Sequence, residues 1–491
     1  MRNRRVYHIL TLMDEGERRL FRAFLQSPLF EKKKRLLRFY DLWDRRVLRK
    51  EEGGPETVEA LLKGSDFLPS AFDKLCVQLR LKALEFLSLR TYQSSAQLQL
   101  ELTNQVLADR GAPDSESSRE LERYRKWLLS QPDSAASMHS RLTFQWDRTS
   151  AKMSTRQTRA VWKENFEELH DLLDDYYYLQ KLKLACATAN ARHMYQQGDD
   201  PATLFLGFFW EAIDLGQLSP LARAYAHTLQ MLTGEDPLPP FTALSDLLQE
   251  YGGVFETEDA QELYQYALNF TIRKGNQGEQ VFRASTGKLY RDLLDKGLLL
   301  INGGLPAQTM KNIVVTHCRL GELDWVEGFI DAYRDRLVAG TNPAVVSYNE
   351  AVLAYFRKDF DRAIPQLKEV VSKLRNDIFF ELDARIYLWK AYFEHYDQLS
   401  LEEVDEMERM YDAFRLLIDR NKKLSDVHKQ QYRNFIREFK RLLGLAQQAP
   451  LPTDKLLAFQ KEHLEIEPTF YQAWILEQVH ALLARAGESY L

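Results

Sequence analysis

The segment LHDLLDDYYYLQKL, residues 169–182, sets Asp174 and Asp175 beside three tyrosines, and paired carboxylates are the usual material of general acid–base chemistry. That chemistry needs both groups within hydrogen-bond reach of one reacting atom. Neighbouring residues on a helix point about 100° apart, so these two do not converge by themselves. They read as solvent-facing acids beside core tyrosines. His317-Cys318 fails as a metal pair for the same reason, with no second pair at ligand spacing nearby. STGKLY, 285–290, contains a Gly-Lys dipeptide, but Phe282 stands where a phosphate loop has its first glycine, and no strand precedes it. The chain has no HExxH, no nucleophile elbow and no dinucleotide fingerprint. The sequence therefore predicts no catalytic residues, no metal and no cofactor. An enzyme whose groups meet only in the fold is kept as an alternative.

Two segments are better suited to binding. In YQYALNFTIRKGNQGEQ, 264–280, Tyr266, Asn269 and Arg273 recur at i, i+3 and i+7 on one helical face, with Asn276 at its edge. Leu263, Ala267 and Phe270 share another face. Thr257 can cap this helix and Gly275 can stop it. The polar face is a candidate peptide- or protein-binding surface. The alternative has Arg273 bonding the last carbonyls while Asn269 ties adjacent helices. The second segment, FLQSPLFEKKKRLLRFY at 24–40, carries a basic cluster that can meet phosphates in a salt-dependent way. Arg18, Arg22, Lys32, Lys33, Lys34 and Arg35 would be its contacts. No stacking platform or glycine-rich loop accompanies them, so a helix corner with a basic, solvated rim is the first reading.

These residues must be positioned by helices. The chain has 22 Gly and 16 Pro in 491 residues, below the usual averages of roughly 7% and 5%, and such scarcity favours long helices with short connections. Apolar spacing is helical nearly throughout, without convincing strand alternation. A helix is predicted from near Asp14 to Pro28, with Leu20, Phe21, Phe24 and Leu25 as its apolar stripe. A second runs from about Glu31 to Leu48, its first turn carrying lysines at the end of the helix dipole that disfavours cations. A strong helix follows from Ala71 to about Leu89. DRGAPDSESS, 109–118, is the most linker-like stretch, and a long helical pattern covers roughly 150–197. LEEVDEMERMYD, 401–412, reads as an outer helix with a charged face. A single core stops growing near 250–300 residues, so a chain of this length divides or stacks repeats. The predicted division is a basic helical domain over 1–110 and an α-helical repeat domain over 115–491.

Internal order is clearest between about 305 and 396. LGELDWVEGFI and RKDFDRAIPQL align with a separation of 37, placing Leu323 over Phe360 and Val326 over Ala363. Tyr355-Phe356 and Tyr392-Phe393 are again 37 apart. Periods of 20–50 residues that each encode two helices signal a solenoid. AYFRKDFDRAI resembles the helix–turn–helix of tetratricopeptide-like repeats, with Lys358 where a turn glycine is common and Pro365 inside the second helix. FLQSPLF, YALNFTIRKGNQGE and MKNIVVTHCRLGELDW together resemble a family of uncharacterised bacterial helical-repeat proteins, although Glu31 replaces that pattern's asparagine. The resemblance implies an α-solenoid and no activity.

Charge and cysteine usage bound the setting. Residues 1–50 carry 15 Lys+Arg against 6 Asp+Glu, within a chain of net charge −5, so a basic head precedes an acidic body that can itself attract it. The opening MRNRRVYHILTLMDEGE is too interrupted for a secretory signal, and LFLGFFW at 204–210 is far short of the roughly 20 residues that span a bilayer. Cys76, Cys186 and Cys318 form no framework, which places the chain in a reducing cytoplasm. The sequence expectation is an all-α protein, a small helical head followed by an α-solenoid of antiparallel helix pairs. It acts as a non-enzymatic scaffold for an unknown protein or peptide, with nucleic-acid association through the head as the alternative and no membrane partner.

Overall fold

The structure is a computed structural model and describes residues 4–28, 34–49, 55–154, 159–195, 210, 214–276, 279–374, 377–422, 424–466 and 470–488. Among these residues the chain is helical, with isolated bridges (Asp133 with Phe255, Ile301 with Gly304, Leu305 with Leu337) in place of strands. No helix among them is long and apolar enough to cross a membrane. The apolar window 204–209 lies outside the described residues.

The chain forms two compact units, one of residues 1–131 and 143–151, the other of 132–142 and 152–491. The first unit opens with α1 (Arg5–Leu10), α2 (Glu15–Gln26) and α3 (Lys34–Trp43), followed by α4 (Val58–Leu62) and α5 (Phe72–Ser94). Asp14 starts α2 with a reciprocal capping box, its carboxylate accepting from the Glu17 amide at 2.7 Å. Before Pro28 the helix stops at Ser27, whose backbone is extended. Phe21, Phe24 and Leu25 are buried as predicted, but Leu20 is turned to solvent. Phe21 meets the rings of Tyr40 and Phe86 at 5.0 and 5.4 Å, so α2, α3 and α5 share one aromatic core. Helices α6 (Ala96–Asp109) and α7 (Asp114–Leu129) close on each other around Leu100, Tyr124 and Leu128, across a turn in which Gly111 has φ +61°.

The second unit contains α9 (Arg159–Tyr195), which follows α8 (Ala135–Ser154), then α10 (Pro220–Thr233), α11 (Leu238–Tyr251), α12 (Thr257–Asn276) and α13 (Gln280–Asp295). It continues through α14 (Ala307–Arg319), α15 (Leu323–Tyr333), α16 (Ala344–Phe356), α17 (Phe360–Lys373) and α18 (Ile378–Glu394). It ends with α19 (Leu401–Arg420), α20 (Asp426–Ala446), α21 (Thr453–Leu464) and α22 (Gln472–Glu488). From α9 on, helices pack against the next in sequence, and α10 on α12, α14 on α16, α16 on α18 and α20 on α22 add contacts to the next but one. One continuous core runs through the unit. Alternate helices therefore lie side by side, and a side chain at the same level on each can reach a common space.

Two turns show how the connections are made. Gly321 ends α14 at φ +78°, and Lys358, 37 residues later, ends α16 at φ +61°. A lysine at positive φ bears a cost that glycine avoids. Pro365 sits inside α17 without ending it. Helix α18 is buried on nearly every side, so it runs as an internal strut rather than an amphipathic surface helix.

Candidate functional site

Helix α18 carries Asp383, Tyr387, Lys390 and Glu394 at spacings that place them along one stripe. Lys390 is 3% exposed. Its Nζ lies 3.8 Å from the ring centroid of Tyr471, 5.2 Å from Trp474 and 5.3 Å from Tyr387. Among the described residues no hydrogen bond or ion pair reaches this nitrogen. Burial pulls its pKa well below the ordinary lysine value, and the nearby Arg319 charge acts in the same direction, against Glu394, Glu477 and Asp383. Ring faces attract a cation, so the aromatic wall offers partial compensation in place of water.

Its neighbours on the stripe are fully engaged. Asp383 accepts from the Tyr471 hydroxyl at 2.9 Å and pairs with Lys311. Glu394 accepts from Trp474 Nε1 at 2.9 Å, from the Tyr355 hydroxyl and from Lys358. These bonds tie α18 to α16, to α22 and to the turn after α16, and they fix the rings around Lys390. The amine faces a cavity of about 620 Å³, within the size range of small-ligand and peptide-anchor sites. Arg283 from α13, Arg319 at the end of α14, Tyr355 and Phe356 from α16, Gln431 from α20, and Trp474 and Glu477 from α22 also line it. Four basic side chains (Arg283, Arg319, Lys358, Lys390) meet two acids (Glu394, Glu477) there. Two of the three non-glycine residues at positive φ among the described residues, Lys358 and Tyr471 at φ +61° and +58°, border the same cavity. Strained backbone concentrates at functional sites because the surrounding structure must hold it in place.

The residues singled out in the sequence lie elsewhere. Tyr266 is 5% exposed and donates to Glu262 at 2.9 Å. Glu262 belongs to an inner network in which the Tyr225 hydroxyl lies 2.6 Å from Glu262 and 2.8 Å from Asp259, while Lys183 pairs with Asp259. Asn269 accepts from Gln265 at 2.8 Å on the same helix. Arg273 is half-buried over the Phe270 ring, beside a smaller cavity of about 320 Å³, and burial lowers its pKa. The side chain of Asn276 lies outside the described residues. The described three are thus spread over an inner network, a helix surface and a separate recess.

In the basic head, Arg22 makes a bidentate pair with Asp41 at 2.8 and 3.1 Å. The carbonyl of Arg18 accepts from Tyr40. Lys34 and Arg35 are exposed on the first turn of α3, whereas Lys32 and Lys33 lie outside the described residues. Asp175 is turned inward to accept from the Ser219 amide at 3.0 Å, and burial raises its pKa. His317 is buried against Trp325, with Nδ1 on Glu322, and burial raises the neighbouring Cys318 thiol to about 12.

Lys390 carries no local signature of its role, because one lysine in an apolar helix reads as an exposed position. The available signal was IYLWKAYFEHY, 386–396, where apolar residues surround the lysine on every face. Its partners Tyr471 and Trp474 are some 80 residues away, and no local spacing links them. No protein-family model matches this chain, and neither a curated protein nor a solved structure matches it.

Proposed function

We propose that this protein is a non-enzymatic scaffold, an α-solenoid of tetratricopeptide-like helix pairs with a basic helical head, that binds a polypeptide partner at the cavity around Lys390. The observation that carries this reading is the amine of a lysine only 3% exposed, without a hydrogen-bond partner among the described residues, walled by aromatic rings and open to a cavity of about 620 Å³. A buried polar group left unpaired costs free energy, and a site that tolerates such a group is ready to receive a partner. The alternate helices α14, α16, α18, α20 and α22 all contribute to the cavity wall, as recognition on the inner layer of a repeat stack requires. Aromatic and basic side chains are also the types that dominate binding hot spots. The three cysteines are buried and unpaired, which accords with the cytoplasmic setting that belongs to this proposal.

Selection of random peptides on the purified full chain tests the reading. Enriched peptides should bind the wild type and lose at least tenfold in affinity on Trp474→Ala, a substitution at the cavity wall. Failure to enrich any peptide, or binding indifferent to Trp474, would refute it. A second reading, nucleic-acid association through the head, is favoured by the exposed Lys34 and Arg35 alone. A salt titration with single- and double-stranded oligonucleotides separates the two, because phosphate contacts weaken steeply with salt.

A further inference from the structure

The cavity around Lys390 also indicates which chemical group of a partner it receives. The amine is the one wall cation at once buried and without a hydrogen bond or ion pair among the described residues. Lys358 is already committed to Glu394, and Arg283 donates to the carbonyl of Gly275 at 3.3 Å. Lys390 is a compact single-point donor with the Arg319 charge close by, and the acids Glu394 and Glu477 in the wall favour a ligand of one negative charge over one of two. A dianion such as phosphate needs several donors converging on it and would meet Glu394 and Glu477 in the same wall. A carboxylate, unlike a neutral acceptor, also favours the charged form of the amine against the pull of burial.

We infer that the cavity seats a carboxylate of the bound polypeptide against Lys390 Nζ, with the adjoining apolar part of the peptide lying on the Phe470 and Trp474 rings. This rests on the proposal that a polypeptide occupies the cavity. The carboxylate supplies the charge-assisted hydrogen bond that no described residue makes to the amine. It does so beside the rings of Tyr387, Tyr471 and Trp474, in a setting less polar than the surface, where a paired charge is held more strongly. The bonds from Tyr471 to Asp383 and from Trp474 to Glu394 orient the wall before any ligand arrives, which lowers the entropy cost of binding. Gln431, also in the wall, can bond the neighbouring peptide unit through its amide. A chain-terminal carboxylate and an Asp or Glu side chain present the same group, and the test separates them.

The experiment uses the full chain immobilised under native conditions and three pools of random tetrapeptides. One pool has free C-terminal acids, the second is amidated without acidic residues, and the third is amidated with one Asp or Glu. Retention is read by mass spectrometry. At least tenfold higher retention of the first or the third pool over the second is the expected result, and whichever is retained identifies the source of the carboxylate. Lys390→Met should abolish that difference. Equal retention of all three pools overturns the carboxylate inference but leaves the polypeptide reading standing, whereas no retention of any pool overturns both. The comparison among pools is made on the wild type, so it stands even if Lys390→Met fails to fold. A folded Lys390→Met that still favours the acidic pools refutes the role of the amine.

Discussion

Lys390 Nζ stands 3.8 Å from the centre of the Tyr471 ring, while the hydroxyl of that same tyrosine is held at 2.9 Å by Asp383, seven residues earlier on the lysine's own helix. One helix thus supplies both the cation and the anchor for the ring that covers it. The ring cannot leave the amine without breaking a hydrogen bond to α18, so the wall is set before a ligand binds.

Removing the amine should separate stability from binding. Burial holds the folded Lys390 below the ordinary lysine value. Between those two values the unfolded chain binds more protons than the folded one, and the stability of the wild type climbs with pH across that window. Below the window the penalty is complete and constant. Lys390→Met keeps the bulk and removes the titration. Its melting temperature should equal or exceed the wild type's by a few degrees at neutral pH, with the gap closing toward the ordinary lysine range. Thermal denaturation across pH checks this, and a melting temperature well below the wild type's at neutral pH would contradict it.

The inner network around Tyr225 predicts the opposite response. Asp259 has a side chain only 5% exposed, and Lys183 is its cationic partner. Lys183→Met leaves Asp259 and Glu262 sharing the Tyr225 hydroxyl without that compensation. With Lys183 28% exposed the pair lies between a surface and a buried one, and breaking it from one side costs about 1–3 kcal/mol. Chemical denaturation should show that loss, and a further Asp259→Leu change should return part of it.

Gly304 gives a purely steric test. Its neighbour Leu305 exchanges backbone hydrogen bonds with Arg336 and Val338 at 2.7 and 3.1 Å. A Cβ at Gly304 would come within 2.9 Å of the Val338 N and Cα atoms. These are backbone atoms, with no rotamer to relieve the clash. Gly304→Ala should cost about 1–3 kcal/mol, measured by urea unfolding, whereas Gly328→Ala, at a glycine with open space around it, should not destabilise.

In the first unit, Asp14→Ala removes the acceptor for the Glu17 amide and dismantles the capping box of α2. A cost of about 1 kcal/mol is expected. Asp14→Asn should restore most of it, because the amide oxygen can accept the same bond. A melting curve of the N-terminal unit's transition in the intact chain reads the difference.

Local chemistry made much of this chain readable. Helical spacing, scarce glycine and proline, the start of α2 near Asp14 and its stop before Pro28 follow from steric rules and backbone hydrogen bonding within a few residues. The divergence of Asp174 and Asp175 follows from helix geometry in the same way. The outward turn of Leu20 is not legible in the sequence, because a stripe one residue too wide has the same period as the correct one, and only the packing of α2 against α3 and α5 decides where burial ends. The Tyr266 face shows the same limit, since spacing gives a shared face but not whether that face looks outward or onto Glu262. The cavity required the tertiary structure altogether. A lysine on α18, a tyrosine and a tryptophan at the start of α22 and a turn after α16 become neighbours only when alternate helices are laid side by side. What burial then does to the amine depends on every ring and charge around it.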